Sequence, residues 1–323
     1  MKQIYILTKL FNVHDRLASL RLCQTIDQWI YRGELKGFTR CFLPYRDSNE
    51  QVKNKPNQTL EIYKLDCKRI TESTMLIGYF DGPIYDSGIG YEIGYAYILA
   101  KPVYLLTSDY FKRWNPCWAE PKSISSLVGN IATVVHISEG TKYKNDYENN
   151  QLDLRLELCT ELKKQICTLD ATPCPTFEIS GNTLPKRTFL VDPAFTETES
   201  SRLVLERIKA TFHAFGVSYH VLSSGELNDV NQLTNYIDSS LNILVYCDAG
   251  FDSNIDSAVI QGMASALKKK IWLYASGKTS LYQTEDFILK RNPMIWHSAH
   301  VKLQSISELE HNIKSGEIIN ENL

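Results

Sequence analysis

The sequence predicts an α/β protein built from two tandem, doubly wound parallel-sheet domains, and three observations support this. Apolar segments of strand length alternate with helical segments along both halves of the chain. The same order of segments occurs twice, and 323 residues suit two domains of roughly 150 residues each. Strands that alternate with helices imply right-handed crossovers, which give a parallel sheet covered by helices on both faces.

The first half supplies a complete set of such segments. They are a strand at Gln3–Leu7, a helix from His14 to Arg32, a strand near Phe38–Leu43, a helix at Leu60–Glu72, a strand at Thr74–Phe80, a helix at Ile89–Ala100 and a strand at Val103–Leu106. Ligands of parallel sheets bind at the carboxyl ends of the strands. The loops after Leu7 and Phe80 are therefore expected to carry the functional residues.

Four blocks of the second half resemble blocks of the first in the same order. RTFLVDPAF (Arg187–Phe195) resembles QIYILTKLF (Gln3–Phe11), IDSSLNILVYCDAG (Ile237–Gly250) resembles ITESTMLIGYFDGP (Ile70–Pro83), GMASALKKKIWLY (Gly262–Tyr274) resembles GYAYILAKPVYLL (Gly94–Leu106), and RNPMIW (Arg291–Trp296) resembles RWNPCW (Arg113–Trp118). Any two doubly wound units share part of this pattern, but four blocks in one order favour an internal duplication. We therefore predict two flavodoxin-like domains, residues 1–140 and 187–323, joined by a linker at 141–186 that contains a helix.

Composition excludes several classes of protein. The formal net charge is −2 without a basic stripe, so nucleic acid is not an expected partner. The apolar runs are of strand length and too short for a membrane helix, and the opening MKQIYILTKL is predicted to be a strand and not a signal peptide. Eight cysteines without a CxxC pair indicate reduced thiols of a cytoplasmic protein, and neither they nor the seven histidines are spaced as metal ligands.

The segment from Tyr79 to Leu106, YFDGPIYDSGIGYEIGYAYILAKPVYLL, has the composition expected of a ligand site. A strand leads into a loop that carries Asp81 and Asp86, and a helix opens at Gly88. A glycine at this place lets a ligand approach the backbone closely. We therefore expect a substrate to bind at this loop, with Gly88 and Asp81 as candidate contacts.

Glu92 is the candidate catalytic residue of this segment. It is expected in the first turns of the helix, where unpaired N–H groups and the helix dipole stabilise an ionised carboxylate. The alternative is an acid that only compensates the helix dipole. The capping-box position three residues after Ser87 is Gly90, so capping does not account for Glu92.

The motif DSGIGYEIGYAYILAKPV (Asp86–Val103) resembles the signature of the nucleoside 2-deoxyribosyltransferase family, which includes nucleotide N-hydrolases. The resemblance covers about residues 3–137, and the opening strand IYILTKLF supports it. It implies that Glu92 is the nucleophile that attacks C1′ of a nucleoside and forms a glycosyl-enzyme ester. A second base or water then resolves the ester with net retention of configuration.

The resemblance also implies roles for other residues. Tyr5 corresponds to the tyrosine that orients the nucleophile, although a core tyrosine is the alternative. Asp86 corresponds to the aspartate that holds the sugar 5′-hydroxyl and would repel a 5′-phosphate, and a helix N-cap is its alternative. Asn115 corresponds to an asparagine that reaches a neighbouring subunit's site. Phe11 could stack on the base, but plain packing is equally expected of it.

Two positions depart from the family pattern. Thr74 stands where the family has an aspartate that handles the nucleobase proton, so we predict a substrate contact through a hydroxyl that cannot ionise near neutral pH. Leu7, Thr8 and Lys9 replace a small, glycine-containing loop, and Lys9 brings positive charge near the ligand. A nonstandard base, a different leaving group or weak activity would fit these departures.

The second half lacks the catalytic motif. Alignment on Gly94 and Gly262 places Ile260 opposite Glu92, so this copy is predicted to be inactive. Asn292 survives at the position equivalent to Asn115. We therefore expect the halves to form an intrachain pseudo-dimer in which Asn292 completes the Glu92 pocket, with further association into homo-oligomers left open.

Three function classes follow from these observations. The first is exchange or cleavage of the N-glycosidic bond of nucleosides, with a nucleoside and a nucleobase as small-molecule partners. The second is an NAD or nucleotide-sugar glycohydrolase, and the third is a non-catalytic sensor of a nucleoside-like ligand. No cofactor is implied, since a carboxylate and the substrate suffice. A GxGxxG after the first strand and a P-loop are both lacking in the sequence, which disfavours dinucleotide redox chemistry and phosphoryl transfer.

Overall fold

A computed structural model describes most of both halves of the chain. The described residues are 2–9, 13–48, 58–80, 86–107, 125–136, 160, 162–164, 166–167, 183–185, 188–247, 254–275, 283–284, 287–288 and 292–315.

The first half forms a parallel sheet with helices on both faces. Its elements are β1 (Ile4–Leu7), α1 (Val13–Tyr31), α2 (Pro44–Asp47), α3 (Gln58–Glu72), β2 (Met75–Tyr79), α4 (Ser87–Ile98), β3 (Val103–Thr107), α5 (Ser126–Ile131) and β4 (Thr133–His136). The strands lie in the order β1-β2-β3-β4, and every neighbouring pair is parallel.

The strand predicted near Phe38–Leu43 is not a continuous strand. The segment runs beside β1 but pairs with it only at two bridges, Lys2 with Phe38 and Tyr5 with Phe42. Between these two bridges the segment advances by four residues while β1 advances by three, so the segment contains one extra residue. An extra residue of this kind interrupts the regular ladder. We call residues 38–42 the edge segment.

The second half repeats this architecture. Its elements are β5 (Phe189–Val191), α6 (Glu199–Ala214), β6 (Tyr219–Val221), α7 (Val230–Ser239), β7 (Asn242–Cys247), α8 (Ile255–Ala266), β8 (Lys270–Ala275), β9 (Gln283–Thr284), β10 (Phe287–Ile288), α9 (Pro293–Ser298), β11 (Val301–Leu303) and α10 (Ile306–Lys314). Five parallel strands lie in the order β6-β5-β7-β8-β11, while β9 and β10 form an antiparallel pair. With the edge segment counted beside β1, both sheets have the flavodoxin-like strand order. The predicted fold class is confirmed.

Helices α4 and α8 correspond residue by residue. Asp86 caps α4 and Asn254 caps α8, each by accepting a hydrogen bond from the backbone N–H two residues later, and they lie 168 residues apart (254 − 86 = 168). Ala100 and Lys268, again 168 apart, have φ of 53° and 56°. Few non-glycine residues adopt positive φ, so the coincidence is specific. It supports the predicted duplication, whose domain limits stay a prediction.

The sheet register corrects one alignment. Ile4 pairs with Met75, and Phe189 pairs with Asn242, which is the equivalent of Met75. Tyr5 therefore corresponds to Leu190 and not, as the blocks suggested, to Phe189. A slip of one residue reverses the face of a strand, and Tyr5 and Leu190 indeed share the core between the two sheets.

The hydrophobic core has three layers. A single central cluster takes residues from the inner faces of both sheets and from the helices between them. The outer face of the first sheet packs on α1 and on the linker's Leu162 and Ile166, and that of the second sheet packs on α6 and α10. No helix in the described part of the chain has the length and apolar character needed to cross a bilayer.

Helices α4 and α8 meet backbone to backbone. A Cβ added at Gly94 would lie 2.0 Å from the carbonyl oxygen of Val259, and one added at Gly262 would lie 2.0 Å from that of Tyr91. Tyr91 and Val259 are themselves equivalent under the offset of 168, so the two contacts are related by a pseudo-twofold axis. Isologous contacts of this kind are typical of a homodimer, and here they lie within one chain.

Candidate active site

Tyr5 and Glu92 meet between strand β1 and helix α4 of the first half. The Tyr5 hydroxyl donates a hydrogen bond of 2.6 Å to Glu92 Oε1, although the two residues are 87 positions apart. Tyr5 is 0% exposed and Glu92 is 7% exposed. A phenol bonded to a carboxylate at this distance forms a strong, charge-assisted hydrogen bond, which fixes the orientation of the carboxylate.

Strand β1 determines how Tyr5 reaches Glu92. Alternation along the strand directs Tyr5 and Leu7 toward α4, while Ile4 and Ile6 face α1. The Tyr5 ring also packs on Phe42 of the edge segment, with 5.5 Å between the ring centroids. Tyr5 is thus a core residue and the partner of Glu92 at the same time.

The position of Glu92 in α4 differs from the expected one. The helix begins at Ser87, so Glu92 is its sixth residue. The unpaired N–H groups of a helix belong to its first four residues, and the dipole effect fades within the first turn. The orientation of the Glu92 carboxylate is therefore attributable to the Tyr5 hydroxyl and not to the helix terminus.

Asp86 joins the two halves of the chain. Its Oδ1 accepts a hydrogen bond of 2.8 Å from the Gly88 N–H and one of 3.2 Å from Asn292 Nδ2. The N-cap foreseen as the alternative for Asp86 is therefore present. Asn292 in turn caps α9, because its Oδ1 accepts a bond of 3.0 Å from the Met294 N–H.

Gly88 makes room for this contact between the halves. A Cβ at position 88 would lie 2.6 Å from Asn292 Nδ2 and 3.0 Å from Asp86 Oδ1. Any larger residue would displace the Asn292 amide. The glycine expected to admit a ligand thus admits a side chain of the second half.

Helix α9 is held on the first half by a contact that the sequence analysis missed. His297 Nε2 lies 2.9 Å from Thr59 Oγ1 of α3, and its ring faces that of Tyr63. Burial, and then the charge of Lys302, lower the pKa of His297. A neutral ring suits this contact. Nothing in the sequence signals a pairing across 238 positions.

Lys9 brings a positive charge to the end of β1. It is 5% exposed, and its Nζ lies 5.9 Å from the ring centroid of Phe80, which follows β2. Thr8 beside it is also buried. The sequence signal for this buried lysine was the replacement of the family's small, glycine-containing loop by Leu7, Thr8 and Lys9.

Thr74 lies at the amino edge of the first sheet. It precedes β2, where its N–H donates to the Gln3 carbonyl. Parallel sheets bind ligands at the opposite, carboxyl edge. The contact between Thr74 and substrate stays a prediction. Phe11, Asp81 and Asn115 lie outside the described residues.

At the corresponding place in the second half, the polar groups form hydrogen bonds with one another. Ile260 is fully buried at the position equivalent to Glu92. The Asp192 carboxylate accepts hydrogen bonds from the N–H groups of Ala194 and Tyr246 and from the Ser257 hydroxyl, at 3.1, 3.0 and 2.9 Å. Burial raises the pKa of Asp192 to about 6. These hydrogen bonds link the end of β5 to β7 and α8, so the role of Asp192 is structural.

Comparison with known proteins shows a similarity to one sequence family over the first half of the chain. The profile of the family described as nucleoside 2-deoxyribosyltransferase matches residues 5–155, a span that contains Tyr5 and Glu92 and excludes Asn292. No curated protein matches the chain. One similar solved structure is a 2-deoxyribosyltransferase from Bacillus psychrosaccharolyticus, at 20% identity over 46% of this chain and 94% of that one, with a TM-score of 0.31. Another is a conserved protein from Enterococcus faecalis, at 21% identity over 49% and 99%, with a TM-score of 0.33.

Proposed function

We propose that the first half of this chain, which matches the nucleoside 2-deoxyribosyltransferase family over residues 5–155, exchanges or cleaves the N-glycosidic bond of nucleosides with Glu92 as the nucleophile. The observation that carries the proposal is the 2.6 Å bond between the Tyr5 hydroxyl and the buried Glu92 carboxylate. A desolvated carboxylate held in one orientation has the properties required of a covalent nucleophile.

In the first step a Glu92 carboxylate oxygen attacks C1′ of the nucleoside. The bond from that oxygen to C1′ forms as the bond from C1′ to the base nitrogen breaks, and the base leaves with the electron pair. The sugar passes through an oxocarbenium-like transition state. The Tyr5 hydroxyl fixes the carboxylate in line with C1′ during this displacement.

In the second step the ester is resolved. A nitrogen of a second base, or a water oxygen, attacks C1′ from the face that the first base left, and Glu92 is released as a carboxylate. The proton that the attacking group loses passes to the base that left in the first step. Two inversions give net retention of configuration. Transfer results where a base outcompetes water, and hydrolysis results where it does not.

Asp86 and Asn292 are proposed to hold the sugar. Their hydrogen bond of 3.2 Å joins a carboxylate and an amide on the side of α4 that carries the first helical turn. A 5′-hydroxyl can donate to the carboxylate and accept from the amide. In this proposal the second half is an inactive copy that serves the first as a built-in partner subunit.

The function is tested by incubating the purified full chain with deoxyadenosine, thymidine or NAD in separate reactions, each with and without a second free base. We expect release of base from a deoxynucleoside, and a new nucleoside where the second base is present. Chromatography resolves both products. If the chain binds one of these compounds but releases no base from any of them, the non-catalytic sensor is the better explanation.

A second candidate function is cleavage of an anionic substrate such as NAD or another nucleotide. Buried Lys9 at the end of β1 favours it, since an ammonium 5% exposed there would attract a phosphate or an anionic base. Asp86 opposes it by repelling a 5′-phosphate. Base release from NAD but not from deoxynucleosides in the same reactions would establish this candidate instead.

Replacement of Tyr5 by Phe tests the orienting bond. We expect kcat to fall about 10-fold to 100-fold, because a hydrogen bond to a charged group contributes about 1.5–3 kcal/mol. KM should change little, since the hydroxyl contacts Glu92 and not the sugar. Steady-state kinetics on the preferred substrate measure both constants. If kcat equals that of the unmodified chain, the Tyr5 hydroxyl does not contribute to the reaction and the side chain serves only in packing.

Replacement of Asn292 by Ser tests the contribution of the second half. Serine is a good N-cap, so α9 is retained while the Nδ2 donor is lost. We expect KM to rise roughly 3-fold to 10-fold, the effect of one neutral hydrogen bond, with kcat nearly constant. Asn312→Ser in α10, on the outer face of the second sheet, is the matched control. Equal KM values for the two variants would show that Asn292 does not contribute to substrate binding.

A further inference from the structure

Two cysteines and an aspartate meet on the outer face of the first sheet, away from Glu92. Cys23 and Asp27 belong to α1, and Cys41 belongs to the edge segment. The two sulfurs and a carboxylate oxygen all lie within 4.8 Å of one another. Both cysteines are buried, and both are free thiols.

Arg46 of α2 makes the two cysteines chemically unequal. Its Nη1 lies 3.3 Å from Cys23 Sγ and 3.4 Å from Asp27 Oδ2, and its Nη2 donates to the Cys41 carbonyl. The hydrogen bond to Cys23 and then burial raise the pKa of Cys41. The guanidinium contacts the sulfur of Cys23 but only the backbone of Cys41, which favours Cys23 as the residue that is oxidised first.

We propose that Cys23 and Cys41 form a redox-active pair that hydrogen peroxide converts to an intrachain disulfide. Cys23 Sγ attacks one oxygen of the peroxide, the O–O bond breaks, and the second oxygen leaves as water after taking up the thiol proton of Cys23. The product is a sulfenic acid on Cys23. The Cys41 sulfur then attacks Cys23 Sγ, its proton joins the departing hydroxyl, and a second water leaves. Two thiols are oxidised to a disulfide, and one peroxide is reduced to two waters.

The same three residues are less suited to a metal ion. The Arg46 guanidinium already bonds to two of the three donor atoms, so a divalent cation would have to displace it. Within the described ranges, no fourth His, Cys, Asp or Glu joins the group. A structural zinc site has four protein ligands. A disulfide needs only the two sulfurs to approach to bonding distance.

The pair lies where a bond would influence the active strand. Cys41 precedes Phe42, whose backbone N–H donates to the Ile4 carbonyl and whose carbonyl accepts from the Ile6 N–H, at 2.9 and 2.8 Å. The Phe42 ring packs on Tyr5. A disulfide would therefore fasten α1 to the segment that supports Tyr5.

The test is peptide mapping of the full chain after graded treatment with hydrogen peroxide and alkylation of the remaining thiols. We expect a peptide that joins Cys23 to Cys41 and lacks two hydrogen atoms, and we expect dithiothreitol to reverse it. Cys247, buried to the same extent as Cys41 in β7, is the internal reference and should stay alkylated at the dose that oxidises the pair.

Two variants separate the chemical roles. In Cys41→Ala the sulfenic acid on Cys23 should persist and be trapped by dimedone, whereas in Cys23→Ala position 41 should stay a thiol. Arg46→Gln should slow formation of the cross-link about 10-fold without preventing it. The proposal is overturned if both cysteines stay reduced at doses that oxidise Cys247. It is also overturned if the purified chain contains one equivalent of zinc that Cys23→Ala removes.

Discussion

Replacing Glu92 with Gln will lower kcat by about 10⁴-fold, because an amide cannot form the glycosyl ester on which the proposed reaction depends. Glutamine has nearly the same shape, and its Oε1 can still accept the hydrogen bond from Tyr5. The loss should therefore be confined to chemistry, and KM should stay within a few-fold. Chromatographic detection of free base measures the rate.

The control for this substitution is Glu61→Gln on α3, an exposed glutamate that bonds only a neighbouring lysine among its described contacts. It should have the kcat of the unmodified chain. A slow fluorinated nucleoside analogue should leave a sugar adduct on Glu92 in the unmodified chain and none in Glu92→Gln. Turnover by Glu92→Gln at the rate of the control would exclude Glu92 as the nucleophile and leave the sensor as the better explanation.

The sequence predicted the fold, and it led to Glu92 as the candidate nucleophile, because both inferences depend on local patterns. The alternation of apolar strands with helices determines a parallel sheet, and the glycines before Glu92 mark a helix that opens at its carboxyl edge. Tyr5 was identified through the family resemblance, and its bond to Glu92 follows from the alternation along β1.

What the sequence could not predict depends on contacts between distant segments. The repeat predicted that Asn292 approaches the first half, but it did not predict the hydrogen bond to Asp86. Nor did it predict the docking of α9 on α3 through His297 and Thr59, since no periodic pattern encodes that contact. The extra residue in the edge segment likewise leaves no trace in the hydrophobic pattern. The role of Thr74 stays a prediction, because a match to a family position does not show at which end of a strand the residue lies.

The second large effect is expected at the crossing of α4 and α8. Gly94→Ala should lower the free energy of unfolding by about 4 kcal/mol or more, because its Cβ would lie 2.0 Å from the Val259 carbonyl oxygen, a backbone atom that cannot rotate away. Gly129→Ala is the matched control, since that glycine is also helical and a Cβ there meets nothing within 4 Å. In the control, the free energy of unfolding should rise by about 0.5–1 kcal/mol, because alanine has a higher helix propensity than glycine. Urea unfolding monitored by circular dichroism measures both changes.

The pseudo-twofold axis makes this prediction stricter. Gly262→Ala adds a Cβ 2.0 Å from the Tyr91 carbonyl oxygen, so it should destabilise the chain by nearly the same amount as Gly94→Ala. Either substitution must part the two helices, and once they have parted the second methyl meets a wider gap. The double variant should therefore lose clearly less than the sum of the two single losses, which is the coupling expected of neighbouring sites. Parting the helices would also draw Asn292 away from Asp86, so each single variant should raise KM as Asn292→Ser does. Full additivity, or a Gly94→Ala variant as stable as the Gly129→Ala control, would mean that the halves do not meet along α4 and α8 in solution.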